Sequence, residues 1–82
     1  MMIKLDEETK QKLKNEINEK IKEEILDVKF NKNYNLEVIS FLNMKYRSIK
    51  KIDKITKQYN YKDMCVFVES KNIRMVWFWD KI

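Results

Sequence analysis

Apolar residues recur every four positions in the first third of the chain, which is typical of a helix that buries a narrow stripe. The stripe consists of Leu13, Ile17, Ile21 and Ile25. Asp6 is a suitable N-cap, and Glu7 and Glu8 suit the positive end of the helix dipole. The pattern predicts a helix over 6–24 with its opposite side in solvent.

The period then changes from four to two. Leu26, Val28 and Phe30 alternate with charged residues, which predicts a short strand over 25–30. The Asn-rich run 31–35 predicts a turn, because Asn tolerates left-handed backbone angles. Alternation resumes over 36–46 and predicts a second strand, although the same stretch also fits the start of a long helix.

A second helix is predicted over 49–59, with Ser48 as its N-cap and Asn60 as its stop. Its apolar side contains Ile49, Ile52, Ile55, Thr56 and Tyr59. At about 100° per residue, four lysines lie nearly opposite that side. They are Lys50, Lys51, Lys54 and Lys57.

The C-terminal quarter of the chain has the composition of a β-hairpin. The segments 61–69 and 73–80 are rich in β-branched and aromatic residues, and Ser70-Lys71-Asn72 joins them. The element order αββαββ predicts an α+β fold with two helices and an antiparallel sheet of three to four strands. With 82 residues, the range 1–82 is expected to form a single domain.

Composition indicates a source as well as a class. Gly, Pro, His and Ala are absent, whereas Lys, Ile and Asn together fill about two fifths of the chain. The favoured residues have AT-rich codons and the missing ones, apart from His, have GC-rich codons. We therefore infer an AT-rich genome, such as that of a low-GC bacterium, its phage or a plasmid.

Positive charge is concentrated in the second half of the chain. The net charge is +5, yet residues 1–30 are close to neutral. The candidate partner-binding residues are Lys45, Arg47, Lys50, Lys51, Lys54, Lys57 and Lys62. Such a cluster suits phosphates or an acidic protein surface. The alternative is a solvated helix face that codon bias has made rich in lysine. Lysine without arginine disfavours base-specific readout.

The hairpin supplies a second candidate surface. Trp77 and Trp79 share one face of the last strand with Ile73 and Met75, while Val76 and Phe78 lie on the other face with Arg74 and Asp80. A small sheet with two helices is expected to leave one face uncovered, so one aromatic set should be partly exposed. Trp77 and Trp79 are the predicted contacts, extended by Tyr61 and Phe67. Two alternatives are that both sets are core and that a homodimer buries the patch.

Catalytic chemistry is not expected. The chain has no histidine, no glycine for a phosphate loop and one cysteine, Cys65, which we expect to be buried and inert. Asp63, Glu69 and Lys71 resemble a nuclease signature, but six strand residues separate the carboxylates by roughly 20 Å. We therefore expect strand-end charges, no metal site, no cofactor and no enzyme activity.

The segment Met1–Glu8 turns acidic where a signal peptide needs an apolar run, and no apolar run approaches the length of a membrane span. A single cysteine fits a reducing compartment. We therefore expect a cytoplasmic location in a bacterial host cell, without membrane contact.

In profile alone, the chain resembles small anti-defence proteins of phages and mobile elements, including anti-CRISPR proteins. It is small, charged and free of catalytic motifs, and no functional residue follows from the resemblance. The resemblance implies a stoichiometric inhibitor that binds a host protein or nucleoprotein complex with an acidic surface. Many such proteins are acidic mimics of DNA, whereas this chain has a net charge of +5. The alternative is a small nucleic-acid-binding regulator that contacts the phosphate backbone.

Overall fold

The computed structural model describes residues 5–79 and confirms the predicted α+β fold with the order αββαββ. The helices are α1 (Glu7–Ile21) and α2 (Tyr46–Lys57), and a 3-10 turn (Lys22–Glu24) follows α1. The strands are β1 (Ile25–Phe30), β2 (Leu36–Ser40), β3 (Asp63–Val68) and β4 (Ile73–Phe78). Asp80, the predicted end of the last strand, lies outside the described residues.

Helix α1 begins as its sequence predicts. The Asp6 carboxylate accepts a hydrogen bond of 2.7 Å from the Thr9 N–H. Hydrogen bonds from the Thr9 side chain and then from its backbone lower the pKa of Asp6. Leu13, Ile17 and Ile21 of the predicted stripe are buried. The regular helix ends at Ile21, and the last predicted turn is the 3-10 turn.

The four strands form one antiparallel sheet in the order β1-β2-β4-β3. The central pair, β2 and β4, joins the two halves of the chain, while β1 and β3 are the edges. The turn before β2 was predicted to use Asn, but the left-handed residue there is Tyr34 with φ 63°. Asn31 instead holds the turn through its Oδ1 atom, which accepts the N–H groups of Asn33 and Asn35.

The predicted strand 36–46 is too long. Strand β2 ends at Ser40, and the chain turns before α2 begins at Tyr46, so the alternative of a long helix from residue 36 is also wrong. Phe41 and Leu42 continue the alternating pattern but are 45% and 48% exposed, because no strand pairs with them. At these two positions the alternation of apolar residues therefore does not indicate burial in a sheet.

Helix α2 was predicted three residues too late, with the wrong cap. Its N-cap is Lys45, which makes no side-chain capping bond. Ser48 lies inside the first turn, and its hydroxyl donates a 2.5 Å hydrogen bond to Glu24 Oε2. Glu24 Oε1 accepts the Lys45 N–H at 3.2 Å, so a carboxylate from the 3-10 turn caps this helix. At the other end, Asn60 has φ 61°, as expected of a left-handed stop.

The core lies between the two helices and one face of the sheet. Register places Leu36 opposite Trp77 and Val38 opposite Met75, and all four are fully buried. Leu13 and Ile17 of α1 and Ile52 and Ile55 of α2 cover this face. The other sheet face has no helix over it within residues 5–79. Neither described helix has the length and apolar character that a membrane span requires.

Candidate binding surface

The predicted basic side of α2 is present and exposed. We call it the α2 basic face, and it consists of Arg47, Lys50, Lys51, Lys54 and Lys57, all of which are exposed. The opposite side of the helix buries Ile52, Ile55 and Thr56, so packing fixes the direction in which the lysines point. From Arg47 to Lys57 the face extends about 15 Å along the helix axis.

The charges of the α2 basic face are not neutralised by the fold. Within residues 5–79, none of its side chains forms an ion pair. The one carboxylate of α2, Asp53, is directed toward the hairpin, where it accepts hydrogen bonds from the Tyr61 hydroxyl and, at 3.2 Å, from Trp77 Nε1. The face therefore presents several ammonium groups that are free to meet an anionic partner.

Lys45 and Lys62, the remaining predicted basic contacts, flank the two ends of α2 in the sequence. Both are exposed. The Lys62 backbone is held by a 2.7 Å hydrogen bond from its N–H to the Phe78 carbonyl. Glu24 lies close to Lys45 and Lys51, whose charges add to the lowering of its pKa by the Ser48 and Lys45 hydrogen bonds. Glu24 is thus the main local counter-charge at the N-terminal end of the surface.

Sequence reasoning missed Lys20. It lies on α1, yet it lines one groove with Lys51, Lys54, Ile55 and Gln58. The groove runs between the helices, so α1 adds a further cation to the α2 basic face. Only the packing of α1 against α2 reveals this, since Lys20 belongs to the nearly neutral half of the sequence.

Tyr46 is the second residue that the sequence analysis missed. It begins α2, it is 71% exposed, and Lys50 Nζ lies 5.0 Å from its ring centroid. A flat aromatic ring beside several cations can stack on a base or another ring. The long predicted strand concealed this residue, because it assigned Tyr46 to a sheet.

The two tryptophans are not available as contacts. Trp77 is 0% and Trp79 2% exposed, and they belong to the core under the helices. Trp79 Nε1 donates to the Tyr59 carbonyl at 2.6 Å, so its polar edge is satisfied inside the fold. A partner cannot reach either side chain, which corrects that part of the predicted site. The physical reason is that the helices cover the tryptophan face of β4.

The uncovered sheet face carries the other set of hairpin residues. Phe67 is 41% exposed, Phe78 is half-buried, and Cys65, predicted to be buried, is also half-buried. Val76 lies between them but is only 3% exposed. The expectation that one apolar set stays partly exposed is thus correct for this face and not for the tryptophans.

Arg74 shields much of this face. Its guanidinium lies 4.5 Å from the Phe67 ring centroid and within 3.8 Å of both Glu37 and Glu69. The positive charge of Arg74, at the centre of this face, is therefore already paired with Glu37 and Glu69. The uncovered face is therefore a weaker candidate for contact than the α2 basic face.

The two carboxylates of the nuclease-like motif lie at opposite ends of β3. Asp63 accepts the Met64 N–H at 2.8 Å, and Glu69 accepts from Asn72 Nδ2 at 2.9 Å. Within residues 5–79, no three carboxylate or thiol groups gather where they could hold a metal ion.

The arrangement of the α2 basic face is suited to electrostatic recognition of an anion.

Comparison with known proteins adds nothing to this assignment of the α2 basic face, which rests on the geometry alone. No protein-family model, no curated protein and no solved structure matches the chain.

Proposed function

We propose that this chain is a non-enzymatic binding protein that docks the α2 basic face on an acidic surface of a host protein or nucleoprotein complex. The observation that carries the proposal is the exposed row of cations on one rigid helix face, without an ion pair inside the described fold. Unpaired surface cations steer and orient an oppositely charged partner.

We further propose that the binding is inhibitory and that the protein comes from a phage or other mobile element. Small size, an AT-rich codon signature and a high share of charged residues support this reading. A rigid basic helix could occupy the anionic surface that a host defence complex offers to its own ligands. The proposed location is the cytoplasm of the bacterial host cell.

Two variants with equal net charge test the docking surface. In the first, Lys50, Lys51, Lys54 and Lys57 are changed to Gln. In the control, Lys12, Lys22, Lys29 and Lys32 are changed to Gln, all of which are exposed outside the α2 basic face. Each variant loses the same positive charge, so only the position of that charge differs.

Immobilised wild type, face variant and control are exposed to nuclease-treated host lysate. We expect a protein retained by the wild type and the control but lost with the face variant. Equal loss with both variants would show that net charge alone explains the binding, and equal retention by all three would show that the α2 basic face does not carry it. Absence of any retained protein on the wild type would count against a protein partner.

A second candidate function is binding to single-stranded nucleic acid, and Tyr46 is the observation that favours it. Its exposed ring beside Lys50 could stack on a base while the α2 basic face contacts phosphates. Five phosphate contacts predict a slope of about −3.5 in log affinity against log salt. Tyr46→Ala should weaken binding by about 1–3 kcal/mol. A gel shift that detects no complex with a single-stranded oligonucleotide at low salt would eliminate this function.

A further inference from the structure

A groove between the two helices collects positive charge from both of them. Lys20 of α1 lines it together with Lys51, Lys54, Ile55 and Gln58 of α2. The three lysines and Gln58 are exposed, whereas Ile55 is buried. Among the described residues, the lining thus contains three ammonium groups, one amide and one apolar side chain, but no carboxylate.

The three ammonium groups have no anionic partner of their own. None of them forms an ion pair within residues 5–79. Glu16 and Glu24, four residues before and after Lys20, each accept hydrogen bonds from other parts of the chain. Glu24 is close enough to Lys51 for the two charges to interact, but neither carboxylate lines the groove.

Like charges around one groove repel one another. Lys51 and Lys54 are three residues apart on α2, a spacing at which side chains are neighbours and like charges are unfavourable. Lys20 adds a third cation from α1. An anion between the helices would attract cations on both of them and remove this repulsion. The groove is therefore suited to a ligand that carries more than one negative charge.

Charge and size distinguish between the anionic groups that could enter. A carboxylate brings one charge, and so does each phosphate of a nucleic-acid backbone. A phosphate monoester carries about −1.5 to −2 at pH 7 and has three strong acceptor oxygens. Lysine binds phosphate as a point charge, and the Gln58 amide can donate to a further oxygen. The groove has a volume of about 390 Å³, within the range of about 300–1,000 Å³ found for small-ligand pockets.

We propose that the groove between α1 and α2 binds a phosphate group with two negative charges, as the free ion or as the phosphate of a small monoester. Lys20 binds it from α1, and Lys51 and Lys54 bind it from α2. The lysine stems and Ile55 offer apolar contact to the remainder of an ester. The site shares two lysines with the α2 basic face, but it does not require the protein partner proposed above.

Isothermal titration calorimetry with inorganic phosphate, phenyl phosphate and benzoate tests the ligand. The buffer contains chloride at about 0.15 M, where long-range charge effects are screened. Benzoate keeps the ring of phenyl phosphate but has a single negative charge. We expect saturable binding of phosphate and about tenfold weaker binding of benzoate, which lacks one charge-assisted hydrogen bond.

The same titrations identify the source of the phosphate group. Tighter binding of phenyl phosphate than of inorganic phosphate would assign an ester, and equal or weaker binding would assign the free ion. Absence of saturable binding for both phosphates would overturn the proposal. Benzoate that binds as tightly as phenyl phosphate would overturn it as well.

Two variants with equal net charge locate the site. Lys20→Gln/Lys54→Gln removes one lysine of the groove from each helix, whereas Lys50→Gln/Lys57→Gln removes two lysines of α2 that do not line it. All four positions are exposed, so both variants should keep the fold, which circular dichroism checks. The first variant should weaken phosphate binding by about tenfold or more, and the second by less than about twofold.

Equal loss in both variants would show a general attraction to the basic surface and would overturn the assignment to the groove. The lysate experiment measures a different complex, with a retained host protein as its readout. Either proposal can therefore fail while the other stands.

Discussion

Glu24, in the 3-10 turn between α1 and β1, is hydrogen-bonded to the start of α2, and its removal tests how the basic helix is held. Its carboxylate accepts the Ser48 hydroxyl and the Lys45 N–H from the first turn of α2. Glu24→Ala removes both acceptors at once. Ser48 is only 3% exposed, so water cannot readily replace the lost partner, whereas the Lys45 N–H lies at an exposed position.

The expected loss of stability follows from these two bonds. A hydrogen bond to a charged group contributes about 1.5–3 kcal/mol, and a solvent-accessible N–H regains most of its bond from water. We therefore expect Glu24→Ala to lower the free energy of unfolding by about 2 kcal/mol. In a domain of this size that corresponds to a fall in Tm of roughly 8–16 °C. Glu23→Ala, an exposed neighbour, should change stability by less than about 0.5 kcal/mol.

The same carboxylate should make stability depend on pH. The Ser48 hydrogen bond is the main cause that holds the Glu24 pKa below its ordinary value of 4.5 in the folded state. The unfolded chain therefore binds the proton first as pH falls. The contribution is complete above 4.5 and is lost as pH falls through the lower, folded pKa. Glu24→Gln should consequently lose less stability than the wild type between about pH 5 and 3.

Urea denaturation followed by circular dichroism measures both effects, and a double-mutant cycle with Ser48→Ala isolates the coupling. We expect a coupling energy of about 1 kcal/mol, since the two side chains share one bond. Additive effects of Glu24→Ala and Ser48→Ala would refute the claim that this contact caps the helix. So would an acid sensitivity that is identical in the wild type and Glu24→Gln.

Three further predictions concern residues of the core and its margins. Trp77 and Trp79 should resist acrylamide quenching until the protein unfolds, and rapid quenching in the native state would contradict their burial. In an ultraviolet titration, Tyr61 should ionise near its pKa of about 12, which its hydrogen bond to Asp53 raises. The stability from that bond should be present below pH 10 and lost as pH rises through the folded value, and Tyr61→Phe should remove this late transition. Asn60→Val should cost about 1–2 kcal/mol in urea denaturation because of its left-handed backbone, while Asn60→Gly should cost little.

Local patterns predicted most of the elements because each depends on nearby residues. The stripe of α1, the alternation of β1 and the hairpin β3–β4 were correct within two or three residues at each end. The error at 41–46 has a long-range cause. The alternation through Phe41 and Leu42 continues, but the neighbouring strands end opposite Ser40. A carboxylate more than twenty residues away then caps α2.

The candidate site was predictable only where one helix carries it. Helical period alone predicts the four lysines of the α2 basic face, whereas Arg47 was predicted only as a flanking contact because the predicted helix began at residue 49. Which face of β4 is covered depends on packing between distant elements, and the tryptophans were assigned to the wrong side. One signal was nevertheless present, since the face of Val76 and Phe78 also contains Arg74, a charge that favours the solvent side.

Strand β4 is an interior strand of the sheet although it comes last among the described elements. During synthesis, β2 gains its second neighbour, and β3 its described partner strand, only when residues 73–78 have been made. Until then a ribosome-bound chain can form the β1–β2 hairpin and little else of the sheet. Folding should therefore complete in one late, cooperative step, and protease resistance in nascent chains should appear only after β4 has left the exit tunnel.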